Sequence, residues 1–202
     1  MRALNFHSIV EVGPSLRKMF LVFMFVYYPT DYFASLSPHK FIFTFTWEQN
    51  IPYIPEMYLV YYAIFALPLF TALIVDDKQQ FLLISRRCII ATFTAGIFFV
   101  FVPTDSSLKK PNPDCFLETI TGVVAGSHNY LPSLHVLLTL IFATGLLKKL
   151  GPKAITPIIV GTIILIASTL VTFQHQIVDI VASIAIYVPI VLLITEKEKS
   201  PR

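Results

Sequence analysis

The sequence predicts an all-α membrane protein, a bundle of six transmembrane helices with its reactive groups at the outer membrane face. Three observations carry that expectation. Apolar residues make up 55% of the 202 residues and charged residues only 13%, with a mean hydropathy of +0.73, the balance of an integral membrane chain. The apolar residues gather in runs of roughly 15–20, the length a helix needs to cross a hydrocarbon core of about 30 Å. Basic residues cluster at alternate ends of those runs, as the positive-inside rule requires of a multi-pass chain.

In chain order, residues 2–18 form a mixed, weakly basic leader, and the first apolar run, 19–36, is interrupted by Pro29 and Asp31. A secretory signal would end at a small-residue site such as Ala34 and Ser35. The aromatic richness of the run and the Pro-Thr-Asp within it favour a retained span. Residues 37–55 are polar and aromatic, with Trp47 and Tyr53 suited to a membrane interface. The Ile-Pro-Tyr-Ile-Pro at 51–55 breaks regular structure just ahead of a helix. The second span, 57–75, lies between Glu56 and Asp76. A charged turn with Asp76, Asp77, Lys78, Arg86 and Arg87 leads to the third span, 88–102, which stops at Pro103. In the long polar loop beyond it, Phe116, Ile120 and Val124 recur every four residues. That is the period of a short amphipathic helix on the membrane surface, weakened by Gly122 and Gly126. The fourth span opens near Pro132, since proline suits a first helical turn, and closes at Lys148 and Lys149. From Ala154 to Thr195 there are 42 residues whose only formal charge is Asp179. One helix of that length would be about 63 Å long, twice what a bilayer needs. The tract must therefore fold back, and the polar cluster 172–176 is the place for the turn. The fifth span ends near Thr172 and the sixth begins near His175.

With the N-terminus inside, twelve basic residues fall on inner segments: Arg2, Arg17, Lys18, Lys78, Arg86, Arg87, Lys148, Lys149, Lys153, Lys197, Lys199 and Arg202. Only three, Lys40, Lys109 and Lys110, fall outside. Both termini are thus expected in the cytoplasm and the site outside it, in a bacterial inner membrane or an equivalent one. A net charge of +3 is too small to point to nucleic acid, and no such partner is expected. Cys88 and Cys115 have no metal-ligand spacing and lie near opposite faces, too far apart for a disulfide.

Two polar stretches stand out. His175 and Asp179 are four residues apart, so on a helix they share one face, and ionisable groups at membrane depth point to function. The bland alternative is a polar pair joining two helices. The second stretch, Tyr-Leu-Pro-Ser-Leu-His, ends at His135, and the six-span topology places both histidines at the outer side. An imidazole can attack phosphorus and form a covalent phosphohistidine. A carboxylate one turn along can fix its tautomer, and a second imidazole can protonate the departing oxygen. Ser133 and the free amides at the start of span four make an anion site. A metal site is the rival use of two His and one Asp, but no further outer carboxylate or Cys has ligand spacing, and neither metal nor cofactor is expected.

Pro132 to His135 resembles the Pro-Ser-Gly-His motif of the type 2 phosphatidic acid phosphatase family, in its Pro-Ser-Leu-His form. Ser168, with His175 seven residues on and Asp179 four further, resembles that family's Ser-Arg, five residues, His, three residues, Asp. Gln174 to Asp179 is similar to the version in relatives of inositol phosphorylceramide synthase, as is the 51–55 segment. The resemblance covers residues 45–195 of a single membrane domain, 1–202. It implies His175 as nucleophile, Asp179 as its partner and His135 as general acid. Ser133, Leu134, Ser168 and Gln174 would line the phosphate of a lipid substrate. It implies a lipid phosphatase, or a phosphotransferase that uses an alcohol in place of water.

The chain departs from the family where cations are usual. Pro103 and Thr104 are followed by Asp105, and Thr169 and Phe173 stand where Arg and Lys are found. Lys109 and Lys110 are the nearby outer cations that can substitute, unless they belong to a solvated loop. Asp105 is then expected to face solvent or pair with them. Gln174, Thr172 and His128 can donate neutral hydrogen bonds, which stabilise a transferring phosphoryl group less. A catalytically inactive relative is the consequence if no cation serves. A small transporter would need polar residues at mid-depth on several spans, and spans two and three have almost none. Oligomeric state is not legible.

Overall fold

The structure, a computed structural model, describes residues 6–108, 116–124 and 128–195. Seven α-helices appear among them: α1 (Phe6–Ser35), α2 (Tyr58–Ile74), α3 (Lys78–Phe101), α4 (Phe116–Val124), α5 (Leu134–Leu150), α6 (Ile155–Val171) and α7 (Ile177–Leu193). Three helical segments, Pro55–Ile74, Lys78–Phe101 and Pro152–Val171, are long and apolar enough to cross a membrane; α7 is apolar but shorter. Large side chains such as Phe25, Phe65, Phe93, Ile163 and Leu192 are exposed. Soluble monomers rarely expose so much apolar surface, whereas helices that face hydrocarbon do.

Three boundaries differ from the sequence expectation. α1 starts at Phe6 and runs through Pro14, Arg17 and Lys18, because Val12 is buried in the core and Leu16 and Met19 pack against it. The expected charged turn before the third span is instead helix. Asp77 caps α3, its Oδ1 accepting from Gln79 N at 2.8 Å and Gln80 N at 3.4 Å, and the polar residues that follow are used inside the bundle. Gln80 Nε2 donates to Gly145 O at 2.9 Å. Arg87 donates from Nε to Ile194 O and from Nη2 to Val191 O, both at 3.0 Å, holding the C-terminal carbonyls of α7. Pro132 does not open α5. Its peptide bond with Leu131 is cis, and Ser133 is the N-cap. The amphipathic helix expected in the long loop is α4, whose Thr121 meets the Tyr62 hydroxyl of α2 at 2.6 Å.

α3 and α5 pack at the centre. Phe81, Ile84, Cys88 and Ala91 of α3 share one buried cluster with Ile141, Phe142 and Leu146 of α5. A Cβ at Gly145 would force Ile84 to shift, and one at Gly96 would force Val26 of α1 to shift, so glycine lets these helices approach closely. Cys88 is a buried free thiol; Cys115 lies outside the described residues.

α1, α3 and α6 finish at the end of the bundle where α2, α5 and α7 begin. Two short strands meet there, β1 (Phe41–Ile42) and β2 (Thr104–Asp105), paired in parallel as Phe41↔Thr104 and Ile42↔Asp105. The connection α6–α7 reverses the chain within 172–176, as the length of the apolar tract requires.

Candidate functional site

The reversal between α6 and α7 builds the site. Phe173 adopts φ 53°, the left-handed turn conformation. The amides of Gln174 and His175 then both donate to Thr169 O at 3.0 Å. Gln176 is the N-cap of α7 and Asp179 its third residue. His175 therefore stands two residues ahead of the helix, not on it. The carboxylate still reaches it, because Asp179 folds back to cap the helix. Its Oδ2 accepts from Gln176 N at 2.8 Å and lies 3.3 Å from His175 Nδ1. With the Nδ1 proton directed to the carboxylate, the other ring nitrogen, Nε2, keeps its lone pair. Both residues are buried.

His135, the second residue of α5, supplies the facing imidazole. Its ring stacks on Tyr61 at a centroid distance of 4.0 Å, and its centroid lies 5.9 Å from that of His175. His135 Nε2 is buried without a hydrogen-bond partner among the described residues. Tyr130 presents an edge to His175 at 6.2 Å. Burial, with the nearby carboxylates of Asp105, Asp179 and Asp31, pushes the Tyr130 phenol up to about 12, so it stays a hydroxyl donor near neutral pH.

Ser133 brings the two histidines together. It is fully buried, and its Oγ accepts from Val136 N at 3.3 Å, capping α5. Its amide donates to Asp179 O at 3.4 Å, and its carbonyl accepts from Ser183 Oγ at 3.0 Å. The first turns of α5 and α7 are thus tied to each other.

Of the other sequence-predicted residues, Ser168 donates its hydroxyl to Leu165 O at 2.6 Å, within its own helix. Gln174 Nε2 donates to the Tyr58 hydroxyl at 2.8 Å, which donates to Thr172 O at 3.2 Å. Thr172 Oγ1 donates to Ser168 O at 2.6 Å. These side chains hold the turn. Leu134 packs against Ala95, Phe99 and Leu137. Asp105 is partly exposed, its Oδ1 accepting from Ser106 N at 2.8 Å. Lys109 and Lys110 lie outside the described residues. Among the described residues no three His, Cys, Asp or Glu side chains form a metal-binding group.

Two features were not found from sequence. Glu48, fully buried, accepts at Oε1 from Ile177 N at 2.7 Å and at Oε2 from Phe45 N at 2.6 Å. It anchors the first amide of α7 from a distant stretch, and a lone carboxylate in an aromatic segment was its only sequence signal. Lys40 lies 3.3 Å by its Nζ from His128 Nε2. His128 O accepts from Thr104 N, and Thr104 Oγ1 accepts from Tyr130 N at 3.2 Å. Lys40 is the one lysine at this end among the described residues. No protein-family model, curated protein or solved structure matches the chain.

Proposed function

We propose that the chain is a six-span membrane enzyme of the type 2 phosphatidic acid phosphatase kind, which hydrolyses a lipid phosphomonoester or pyrophosphate at the outer face. One observation carries the proposal. Two imidazoles, one on α5 and one in the turn just ahead of α7, face each other 5.9 Å apart, and one of them has its far nitrogen on a buried carboxylate. Rings at that separation can both reach one phosphoryl group. His175 Nε2 attacks phosphorus while Asp179 holds the Nδ1 proton and the growing positive charge of the ring. The phosphate anion that binds beside His135 favours its protonated ring, which gives its proton to the leaving oxygen as the P–O bond breaks, and the lipid alcohol departs. Neutral His135 then takes a proton from water, whose oxygen attacks the phosphohistidine; the P–N bond breaks and phosphate leaves. The Tyr130 hydroxyl and the N-terminus of α5 are the donors available to the phosphoryl oxygens.

The positive-inside count supports a site on the extracytoplasmic side and both termini in the cytoplasm. The same steps with an alcohol in place of water make a phosphotransferase. The test is phosphate release by the purified protein from a panel of lipid phosphates, with and without an alcohol acceptor, beside His175→Ala. Release that depends on His175 supports the proposal, and acceptor-dependent transfer in its place selects the phosphotransferase. Release unchanged in His175→Ala, or none from any member of the panel by folded wild type, overturns it.

A further inference from the structure

A cavity of about 320 Å³ lies between α1, α2, α3 and α5. Phe23 and Met24 of α1, Ile64 and Leu69 of α2, and Leu138 and Phe142 of α5 form its walls, and His135 lines it at the site end. From His135 to Phe142 is two turns of α5, a depth of about 11 Å. Phe20, Phe65 and Leu69 also line it and are 58%, 55% and 49% exposed, so the cavity opens sideways between α1 and α2 onto the apolar surface.

The lining decides what can fill it. Water needs two to four polar partners. Thr92 Oγ1 already donates to Cys88 O at 2.9 Å, which leaves His135 Nε2 as the unpaired side-chain nitrogen. A partner helix, about 10–12 Å across, is too wide for the slot. Its volume is about twice that of a roughly 150 Å³ apolar cavity that accepts benzene, which corresponds to one hydrocarbon chain of about a dozen carbons. An occupant whose chain fills the slot has its other end beside His135, next to His175.

We infer that the slot between α1, α2, α3 and α5 binds a single hydrocarbon chain of a phosphate-bearing amphiphile and delivers its head group to the His135–His175 pair. The inference rests on the proposed enzyme for the identity of the head group. It adds the substrate class: one chain is measured, up to about twelve carbons, and a second chain is left in the bilayer.

The experiment uses the full chain in detergent and competes alkyl phosphonates of four to sixteen carbons against radiolabelled dodecyl phosphonate. Two variants obstruct the slot: Leu138→Trp inside it and Leu69→Trp at its exposed rim, where folding tolerates bulk. Affinity should rise with chain length and level off near twelve carbons. Each variant should weaken dodecyl phosphonate binding roughly tenfold or more by overpacking, and Leu69→Trp, at the rim away from His135, should leave hydrolysis of butyl phosphate unchanged. Chain-length dependence that responds to the variants, without turnover of any phosphate by wild type, leaves the slot standing and removes the enzyme. Turnover whose chain-length dependence neither variant alters overturns the slot and leaves the enzyme standing.

Discussion

Glu48→Gln tests how the site is held. Both carboxylate oxygens of the buried Glu48 accept from backbone amides, Ile177 N at 2.7 Å and Phe45 N at 2.6 Å. Glutamine keeps one acceptor and turns an NH₂ toward the other amide, leaving a buried donor unpaired at about 1–3 kcal/mol. It also removes a negative charge from the start of α7, worth roughly 0.3–1 kcal/mol. The sum, about 1.3–4 kcal/mol, corresponds to a fall of roughly 3–16 °C in the thermal midpoint at this chain length. Trp47, the single tryptophan of the chain, is the neighbour of Glu48, so its fluorescence reports the melt locally. His175 stands two residues before Ile177, so phosphate release should fall at temperatures where the fold is intact. A variant that melts within about 1 °C of wild type, with unchanged Trp47 emission and full activity, would refute the account of how α7 is anchored.

Three further outcomes follow from the geometry. Oδ2 of Asp179 meets both Gln176 N and His175 Nδ1, so in Asp179→Asn an oxygen at that place keeps both bonds without the negative charge that supports a cationic ring, and an NH₂ there loses both; phosphate release should fall, by roughly 10³–10⁴ where the wrong tautomer results, with circular dichroism unchanged. Arg87→Ala removes two charge-assisted bonds to the last carbonyls of α7, 3.0 Å each, and should cost roughly 3 kcal/mol of stability, read as a lowered melt. Turnover below that melt should persist, because Arg87 sits at the end of the bundle away from the histidines, and Arg87→Lys should recover part of the loss. Lys40→Ala and the double Lys109→Ala, Lys110→Ala variant separate the two sources of cation. Whichever contacts the phosphoryl group should lose about ten- to a hundredfold in kcat/KM, the worth of one charge-assisted bond, and the other should stay near wild type.

The apolar runs were legible because length and hydropathy alone constrain them. The second run, expected at 57–75, is α2 at Tyr58–Ile74, and the tract from Ala154 reverses where its polar cluster lies. The charged ends were not legible. Arg87 read as part of a turn, yet it and Gln80 each find a carbonyl on a distant helix, and a distant partner leaves no mark on local spacing. The His175–Asp179 pairing was anticipated with the wrong local cause. Spacing suggested a shared helix face, whereas a capping carboxylate reaches back over a left-handed turn at Phe173. Glu48 lies 129 residues from the amide it holds, so no local pattern connects the two. Ser168, Gln174 and Thr172, expected at the substrate, make side-chain hydrogen bonds within the turn and the end of α6 that local spacing did not indicate.

The central claim is a covalent bond between phosphorus and His175. The protein should be mixed with a lipid phosphate labelled at phosphorus, quenched in alkali, in which phosphohistidine survives and phosphoserine does not, and its peptides read by mass spectrometry. Label should appear on the peptide that carries His175 within one turnover. The label should be lost in His175→Ala and should accumulate in His135→Ala with a substrate whose leaving group needs no protonation, because the second step then lacks its base. Phosphate release by wild type with no labelled histidine, or label on a residue other than His175, would contradict it.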